Sequence, residues 1–221
     1  MLELENVTVI IQGITILRGV TLTVEPGQVV GLIGRNGAGK TTTLRAIMGL
    51  TRIASGRLAL DRLDLAARPP HLRARLGIAY VPEDRRLIGA LSVRENILVP
   101  AWGMGFADAE ARLDAVCTLM PELRELASRP ALLLSGGQQK LVALARSFMY
   151  GSRIVLLDEP FEGLAPPLAR RLVRAVQEFQ AHRPRLAVLV AESEVKWVRL
   201  LAQRTYSIER GTTAEMPALS A

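Results

Sequence analysis

The residues best suited to chemistry lie in a glycine-rich run near the start of the chain, with the GxxxxGK(S/T) spacing of a phosphate-binding loop. The run and its neighbour are Gly34, Arg35, Asn36, Gly37, Ala38, Gly39, Lys40, Thr41 and Thr42. Glycines let backbone N–H groups turn toward phosphates, and the following helix adds its positive dipole end. We expect Lys40 to bind the β- and γ-phosphates and Thr41 to ligate Mg²⁺. The run predicts a site for the β- and γ-phosphates of a nucleotide, with Mg²⁺.

Two adjacent acids follow the apolar residues 154–157, which have the composition of a buried strand. Ligands of open α/β sheets bind at the carboxyl ends of the strands, so Asp158 and Glu159 are expected beside the glycine-rich run. We expect Asp158 to ligate Mg²⁺ and Glu159 to orient or deprotonate the water that attacks the γ-phosphate. An exposed turn is the alternative, and the phosphate-binding run argues against it. The pair predicts hydrolysis at the γ-phosphate of the bound nucleotide.

A third run, Leu134-Ser135-Gly136-Gly137-Gln138, precedes apolar residues at helical spacing. Ser135 is a favourable N-cap residue, and the two glycines leave the start of the helix open to an anion. By itself the run is also consistent with an ordinary helix cap. The order of the three segments argues against that alternative, because the complete set resembles the ABC ATPase family over nearly the whole chain.

The resemblance to ABC ATPases implies a head-to-tail pair of ATPase chains, either two copies or two relatives. Ser135, Gly136, Gly137 and Gln138 match the family's signature motif and would contact the ATP held by the paired chain. A single chain would then be catalytically incomplete. The resemblance also implies integral membrane permease subunits as partners.

A closer resemblance lies in residues 80–86, 159–166 and 209–211, which read YVPEDRR, EPFEGLAP and ERG. These segments are similar to the ATPases of branched-chain amino-acid importers and of their urea and amide relatives. The resemblance implies import of branched-chain amino acids or similar small polar solutes, with a substrate-binding protein as an indirect partner. It also implies that Glu83, where the wider family usually has Gln, ligates Mg²⁺.

Three positions depart from the family pattern. Ile11 stands where an aromatic residue usually stacks on adenine, so adenine would meet an aliphatic side chain. Ser193 takes the place of a switch histidine and can donate a hydrogen bond to the γ-phosphate without carrying positive charge. Ala165 replaces a carboxylate expected at the dimer interface. These changes leave open a hydrolysis-impaired ATP-binding subunit in an unequal pair.

The surrounding sequence indicates the elements that hold these residues. Alternating apolar and polar residues before position 29 predict an antiparallel β-layer. Buried strands at residues 29–33, 78–81, 154–157 and 186–190, with a helix at 40–48, indicate an α/β sheet. We predict a RecA-like P-loop NTPase core in residues 1–86 and 151–221 and a helical subdomain in 87–150. The small, polar tail from residue 211 is expected to be loose.

Composition limits the alternatives. The net charge is +7, but the 28 basic residues are dispersed and aromatic residues are few, so we expect no nucleic-acid partner. No apolar stretch approaches the roughly 18 residues of a membrane span, and the first residues lack a secretory pattern. We expect a cytoplasmic protein, peripheral on the inner face of the cell membrane. A soluble ABC ATPase outside transport stays open as the second hypothesis.

Overall fold

The computed structural model describes residues 1–217 of the 221-residue chain. Its strands are β1 (Leu2–Ile11), β2 (Ile14–Val24), β3 (Val29–Ile33), β4 (Ser55–Leu60), β5 (Leu63–Asp64), β6 (Ile78–Val81), β7 (Ile154–Asp158), β8 (Ala187–Glu192), β9 (Arg204–Glu209) and β10 (Thr212–Glu215). Its α-helices are α1 (Lys40–Met48), α2 (Pro70–Arg75), α3 (Val93–Met104), α4 (Ala109–Leu119), α5 (Glu122–Leu126), α6 (Gly136–Tyr150), α7 (Pro166–His182) and α8 (Val195–Val198). A short 3₁₀ turn covers Ala131–Leu133.

The strands form two sheets that bring the predicted site segments to one edge. An antiparallel sheet has the order β2-β1-β4-β5. The larger sheet has the order β10-β9-β3-β8-β7-β6, and all of its pairs are parallel except β9 with β10. Because β3, β8, β7 and β6 run parallel, the loops that follow them meet at the same edge. These loops carry the phosphate-binding run, Ser193, the acidic pair and Glu83.

Burial explains why the central strands could be predicted. Every residue of β3, β7 and β8 is buried, in agreement with their continuous apolar sequences. Val30 and Leu32 face a core cluster shared with α1 and the antiparallel sheet, whereas Val29 and Ile33 face a second cluster shared with α3, α6 and α7. The antiparallel layer, the α/β sheet and the helix at 40–48 are therefore confirmed, with strand ends shifted by one or two residues.

The far end of α1 is fixed by two residues. Gly49 takes the left-handed conformation at the C-cap, with φ 80°, which glycine adopts without a Cβ penalty. The buried guanidinium of Arg73 donates hydrogen bonds to the carbonyl oxygens of Ala46 at 2.7 Å and Ile47 at 2.8 Å. These bonds place a cation at the helix C-terminus and satisfy carbonyls that have no partner inside the helix.

The tail prediction is wrong for residues 211–215. Arg210 (φ 47°) and Gly211 (φ 82°) form a two-residue left-handed turn, which allows β10 to fold back on β9 as a hairpin. The hydroxyl of Thr213 donates to the carbonyl oxygen of Thr21 at 2.9 Å, and the Gly211 N–H donates to that of Ala38. Small, polar residues indicated a loose segment, but the turn chemistry at 210–211 outweighs that signal. Residues 218–221, also assigned to the loose tail, lie outside the described residues.

Residues 87–150 contain α3 to α6 and the 3₁₀ turn, and α6 packs against both α3 and the larger sheet. The helical character predicted for this segment is observed. The division of the chain into a core and a separate helical subdomain stays a prediction. Within residues 1–217, no helix combines the length and the apolar composition required to cross a membrane.

Candidate functional site

The phosphate-binding run forms the loop between β3 and α1. Gly37 (φ 79°) and Gly39 (φ 115°) both take positive φ values, which favour glycine and allow the loop to turn tightly. The Lys40 ammonium folds back over the loop and donates to the carbonyl oxygens of Gly34 at 2.6 Å and Arg35 at 3.2 Å. The loop and the start of α1 thus present backbone N–H groups and a buried ammonium to one space, an arrangement suited to phosphate.

A cavity of about 430 Å³ opens on this loop. Its lining combines the loop, the start of α1, three carboxylates and one aliphatic side chain. The lining residues are Ile16, Asn36, Gly37, Gly39, Lys40, Thr41, Thr42, Glu83, Glu159 and Glu162. The structure therefore brings most of the predicted loop residues together with Glu83 and Glu159 around one space.

Glu159 occupies the centre of the site in a strained backbone conformation. Its φ of 47° is left-handed, which is uncommon for a residue with a side chain. Its carboxylate lies 2.8 Å from the Lys40 ammonium and accepts hydrogen bonds from the N–H and hydroxyl of Ser193, at 3.3 and 3.1 Å. Burial opposes ionisation, but the bonds to Lys40 and to neighbouring groups lower the pKa of Glu159. The side chain is held as a carboxylate.

Asp158, the preceding residue, accepts hydrogen bonds on both carboxylate oxygens. The Thr41 hydroxyl donates to Oδ1 at 3.0 Å and the Tyr80 hydroxyl donates to Oδ2 at 2.9 Å. Burial and the Asp158 carboxylate together raise the pKa of Tyr80, so the phenol remains a proton donor. The two predicted Mg²⁺ ligands Thr41 and Asp158 are therefore adjacent, with Tyr80 orienting the carboxylate.

The oxygen donors of the site fit Mg²⁺. Burial, followed by repulsion from Glu162 and Asp158, raises the pKa of Glu83, and a divalent cation bound beside these carboxylates would favour their ionised forms. Within residues 1–217 there is no cluster of three or more His, Cys, Asp or Glu side chains arranged to hold a metal by themselves. Mg²⁺ commonly binds to one or two carboxylates together with substrate phosphates, so this sparse donor set suits it.

The predicted signature residues lie at the start of α6. Ser135 caps the helix in a capping box: its hydroxyl accepts from the Gln138 N–H at 3.3 Å, and the Gln138 side chain accepts from the Ser135 N–H at 3.0 Å. None of the four residues Ser135 to Gln138 is part of the lining of the phosphate-loop cavity. Ser135 and Gly136 are exposed. The structure thus brings them to the surface and not to the site of their own chain.

Ile11, the predicted adenine contact, does not line the cavity; Ile16 does. Ile11 pairs with Ile14 across the tip of the β1–β2 hairpin and is 40% exposed. Register shifts interrupt the β1–β2 pairing. The cavity lies at the phosphate loop, so the adenine contact at Ile11 stays a prediction.

Residues 17–162, about two thirds of the sequence, match the family described as ABC transporter. The chain belongs to the ABC transporter family. The match includes the phosphate-binding run, the signature run and the acidic pair.

Two curated relatives cover most of both chains. The high-affinity branched-chain amino acid transport ATP-binding protein BraG of Pseudomonas aeruginosa is 34% identical over 96% of this chain and 90% of that protein. The lipopolysaccharide export system ATP-binding protein LptB of Escherichia coli is 32% identical over 95% of this chain and 87% of that protein. Family membership and these relatives establish an ABC ATPase subunit of a transporter. The two relatives differ in solute, because the first is named for transport of branched-chain amino acids and the second for export of lipopolysaccharide.

The solved structures agree with the fold. The ADP conformation of an ATP-binding cassette of an ABC transporter superposes with a TM-score of 0.84 at 26% identity, over 97% of this chain and 89% of that one. The P-loop NTPase fold with its antiparallel layer is therefore shown. A relative with this fold binds a nucleotide.

Three side chains at this ABC ATPase site were given no role in the sequence analysis. Tyr80 contacts Asp158, whereas Lys140 and Glu192 are buried next to the segment that begins at Glu159. One signal pointed to Lys140: it is one of three lysines among 28 basic residues, and another of the three is Lys40. Glu192 gave a similar signal, because it is an ionisable residue at the end of a continuously apolar run. Tyr80 carried no comparable signal.

The buried Glu192 gives a testable pH dependence. Burial, together with the neighbouring Glu159 carboxylate, raises the pKa of Glu192 to about 8 from an ordinary value of 4.5. The folded state therefore holds a proton that the unfolded state releases. This contribution to stability is complete below the unfolded pKa and is lost as the pH rises through the folded pKa. We expect the melting temperature of the wild type to fall relative to that of Glu192→Gln as the pH rises from about 4.5 to about 8, and to level off above that range. Parallel melting curves for the two proteins across this range would contradict the assignment.

Proposed function

We propose that this ABC ATPase powers an importer of branched-chain amino acids or similar small polar solutes. It acts from a peripheral position on the cytoplasmic face of the membrane. The observation that carries the transport part of the proposal is a groove of about 430 Å³ between α2, α3 and α6. The groove is lined by His71, Ala74, Arg75, Tyr80, Val99, Pro100, Gly103, Met104, Arg146 and Tyr150.

The groove is suited to a helix from a permease subunit. Its α3 side offers Val99, Pro100 and Met104, and its α2 and α6 sides offer the guanidinium groups of Arg75 and Arg146. An amphipathic helix with one apolar face and acidic residues would complement this lining.

The groove is connected to the nucleotide site through α6. The Arg146 guanidinium donates to the carbonyl oxygens of Arg85 at 2.7 Å and Arg86 at 2.8 Å. Glu83 precedes these residues in the same loop and lines the phosphate-loop cavity. Movement of a permease helix in the groove would therefore change the position of the Glu83 carboxylate.

Hydrolysis is proposed to occur between two paired ATPase chains. Lys40 and the loop N–H groups bind the phosphates of ATP, while Ser135, Gly137 and their neighbours contact the γ-phosphate from the other chain. The exposure of Ser135 and Gly136 and their distance from the cavity of their own chain support this arrangement. Paired binding closes the dimer, and hydrolysis resets it.

At each site, side chains of the protein position the attacking water and stabilise the negative charge that develops on the phosphates. Glu159 orients or deprotonates the attacking water, and Ser193 fixes the Glu159 carboxylate by two hydrogen bonds. Thr41, Asp158 and Glu83 would hold Mg²⁺, which neutralises charge on the phosphates. Lys40, which contacts Glu159 in this structure, exchanges that contact for phosphate oxygens when ATP binds.

A second candidate is an ATP-binding subunit that hydrolyses weakly in an unequal pair. Ala165 is the N-cap of α7 and has no polar side chain, so it supplies no carboxylate at the expected dimer interface. Ser193 supplies a neutral donor in place of a cationic switch. Turnover by a complex that contains two copies of this chain and no other ATPase would exclude this candidate.

The solute assignment is supported by the similarity to BraG and by the segments at 80–86, 159–166 and 209–211. It is tested with the purified membrane complex in proteoliposomes, supplied with ATP on the side of this chain. We expect radiolabelled leucine to enter from the opposite side when the complex's own substrate-binding protein is present. Extraction of a lipid from the bilayer, without any leucine uptake, would contradict the solute class.

A further inference from the structure

Two buried ionisable side chains contact the backbone of residues 159–162, and the hydrolysis mechanism above uses neither of them. Glu192, the last residue of β8, is 1% exposed, and Lys140 on α6 is 8% exposed. Burial of an ionisable group is unfavourable unless a specific partner compensates for the lost hydration. The partners of both groups lie in the same short segment.

The contacts fix this segment at three points. The Phe161 N–H donates to the Glu192 carboxyl at 2.8 Å. The Lys140 ammonium donates to the carbonyl oxygens of Glu159 at 2.8 Å and Glu162 at 2.7 Å. All three hydrogen bonds are made to the backbone, so they set its path and leave the side chain of Glu159 free to point into the phosphate-loop cavity.

The segment needs such support because Glu159 has a left-handed backbone. This conformation is unfavourable for a residue with a Cβ atom and persists only when surrounding contacts impose it. The end of β8 supplies further contacts: the Glu159 N–H donates to the carbonyl oxygen of Ala191 at 2.9 Å, and Ser193 donates to the Glu159 carboxylate. Glu192 lies between these two residues and contacts the turn two residues further along.

We propose that Glu192 is a positioning residue for hydrolysis, which with Lys140 holds the 159–162 turn so that the Glu159 carboxylate faces the phosphate site. This inference rests on the proposed role of Glu159. The charged groups near Glu192 are Glu159 and Lys140, and Lys40 lies on the far side of Glu159. Glu192 acts through the backbone of the turn and through the contact of its carboxyl with that of Glu159, and it does not touch the nucleotide.

The test compares Glu192→Gln with Glu192→Leu in the purified membrane complex. Gln retains an oxygen that accepts from the Phe161 N–H, whereas Leu has a similar volume and no acceptor. We expect E192L to lower kcat roughly 10- to 100-fold, because a small misplacement of a catalytic group has an effect of this size, with KM for ATP little changed. E192Q should retain most of the wild-type kcat. Glu125→Leu, at an exposed position on α5, controls for the loss of a carboxylate.

Two further variants, Glu192→Asp and Glu159→Gln, separate a loss of positioning from a failure to fold and from an inactive Glu159. If E192L does not fold, Glu192→Asp serves in its place, because a shorter carboxylic acid withdraws from Phe161 while keeping the acid group. Wild-type kcat in E192L or E192D, or an equal loss in E192Q and E192L, would overturn the proposal. Inactive Glu159→Gln together with fully active E192L would overturn this inference alone, whereas fully active E159Q would overturn the role of Glu159 as well.

Discussion

Replacement of Glu159 by Gln is expected to abolish ATP turnover by the assembled complex. The rate should fall by about 10²- to 10⁴-fold, which is the usual contribution of a general base. The Gln side chain has nearly the same shape and can still accept a hydrogen bond from Lys40. It cannot take a proton from water. Nucleotide binding should therefore persist, and the variant should trap ATP without releasing phosphate.

The measurement is phosphate release by the complex at saturating ATP, alongside ATP binding to the same preparation. Glu125→Gln, a substitution of the same type at an exposed position on α5, is the control and should keep the wild-type rate. An unchanged rate in E159Q would show that this site does not hydrolyse ATP. The hydrolysis-impaired alternative would then be the correct one.

The second large effect is expected for Lys40→Met. The Lys40 ammonium is 4% exposed and faces the phosphate-loop cavity, so its charge-assisted hydrogen bonds to phosphate form away from bulk water. Loss of hydrogen bonds to a charged group costs about 1.5–3 kcal/mol, equivalent to roughly 10- to 100-fold in ATP affinity. Turnover should fall further, because the γ-phosphate loses a charge that stabilises the transition state.

Lys196→Met is the matched control for this prediction. Lys196 lies on α8, is exposed and contacts the ring of Trp197 at 4.7 Å, outside the nucleotide site. ATP binding is measured by equilibrium titration with a fluorescent analogue. Equal ATP affinities in K40M and K196M would show that Lys40 does not bind the phosphates. That result would contradict the predicted role of the phosphate-binding run.

Much of the fold and the phosphate site could be predicted because their signals are local. The loop at 34–41 is specified by glycines with positive φ and by a lysine at a fixed spacing, all within one turn between β3 and α1. The central strands are buried on both faces, so their sequences are continuously apolar. Such features depend on neighbouring residues and are visible without any knowledge of distant contacts.

The features that were missed depend on contacts between distant residues. Tyr80 reaches Asp158 across 78 positions, and the Phe161 N–H reaches Glu192 across 31. The hairpin that replaces the expected loose tail depends on the turn at 210–211 and on its pairing with β9. Sequence patterns do not show the contacts of Tyr80 and Phe161, because each contact joins residues from elements that are far apart in the sequence.

Affinity purification of this chain from gently solubilised membranes, with mass spectrometry of every copurifying chain, shows whether it serves a membrane transporter. Two variants accompany the wild type: Met104→Asp, in the groove between α2, α3 and α6, and Leu200→Asp, at an exposed apolar residue elsewhere. We predict that the wild type and L200D copurify an integral membrane permease and that M104D loses it. Soluble or ribosomal partners alone, with no integral membrane protein in the wild-type sample, would contradict the account of a transport ATPase.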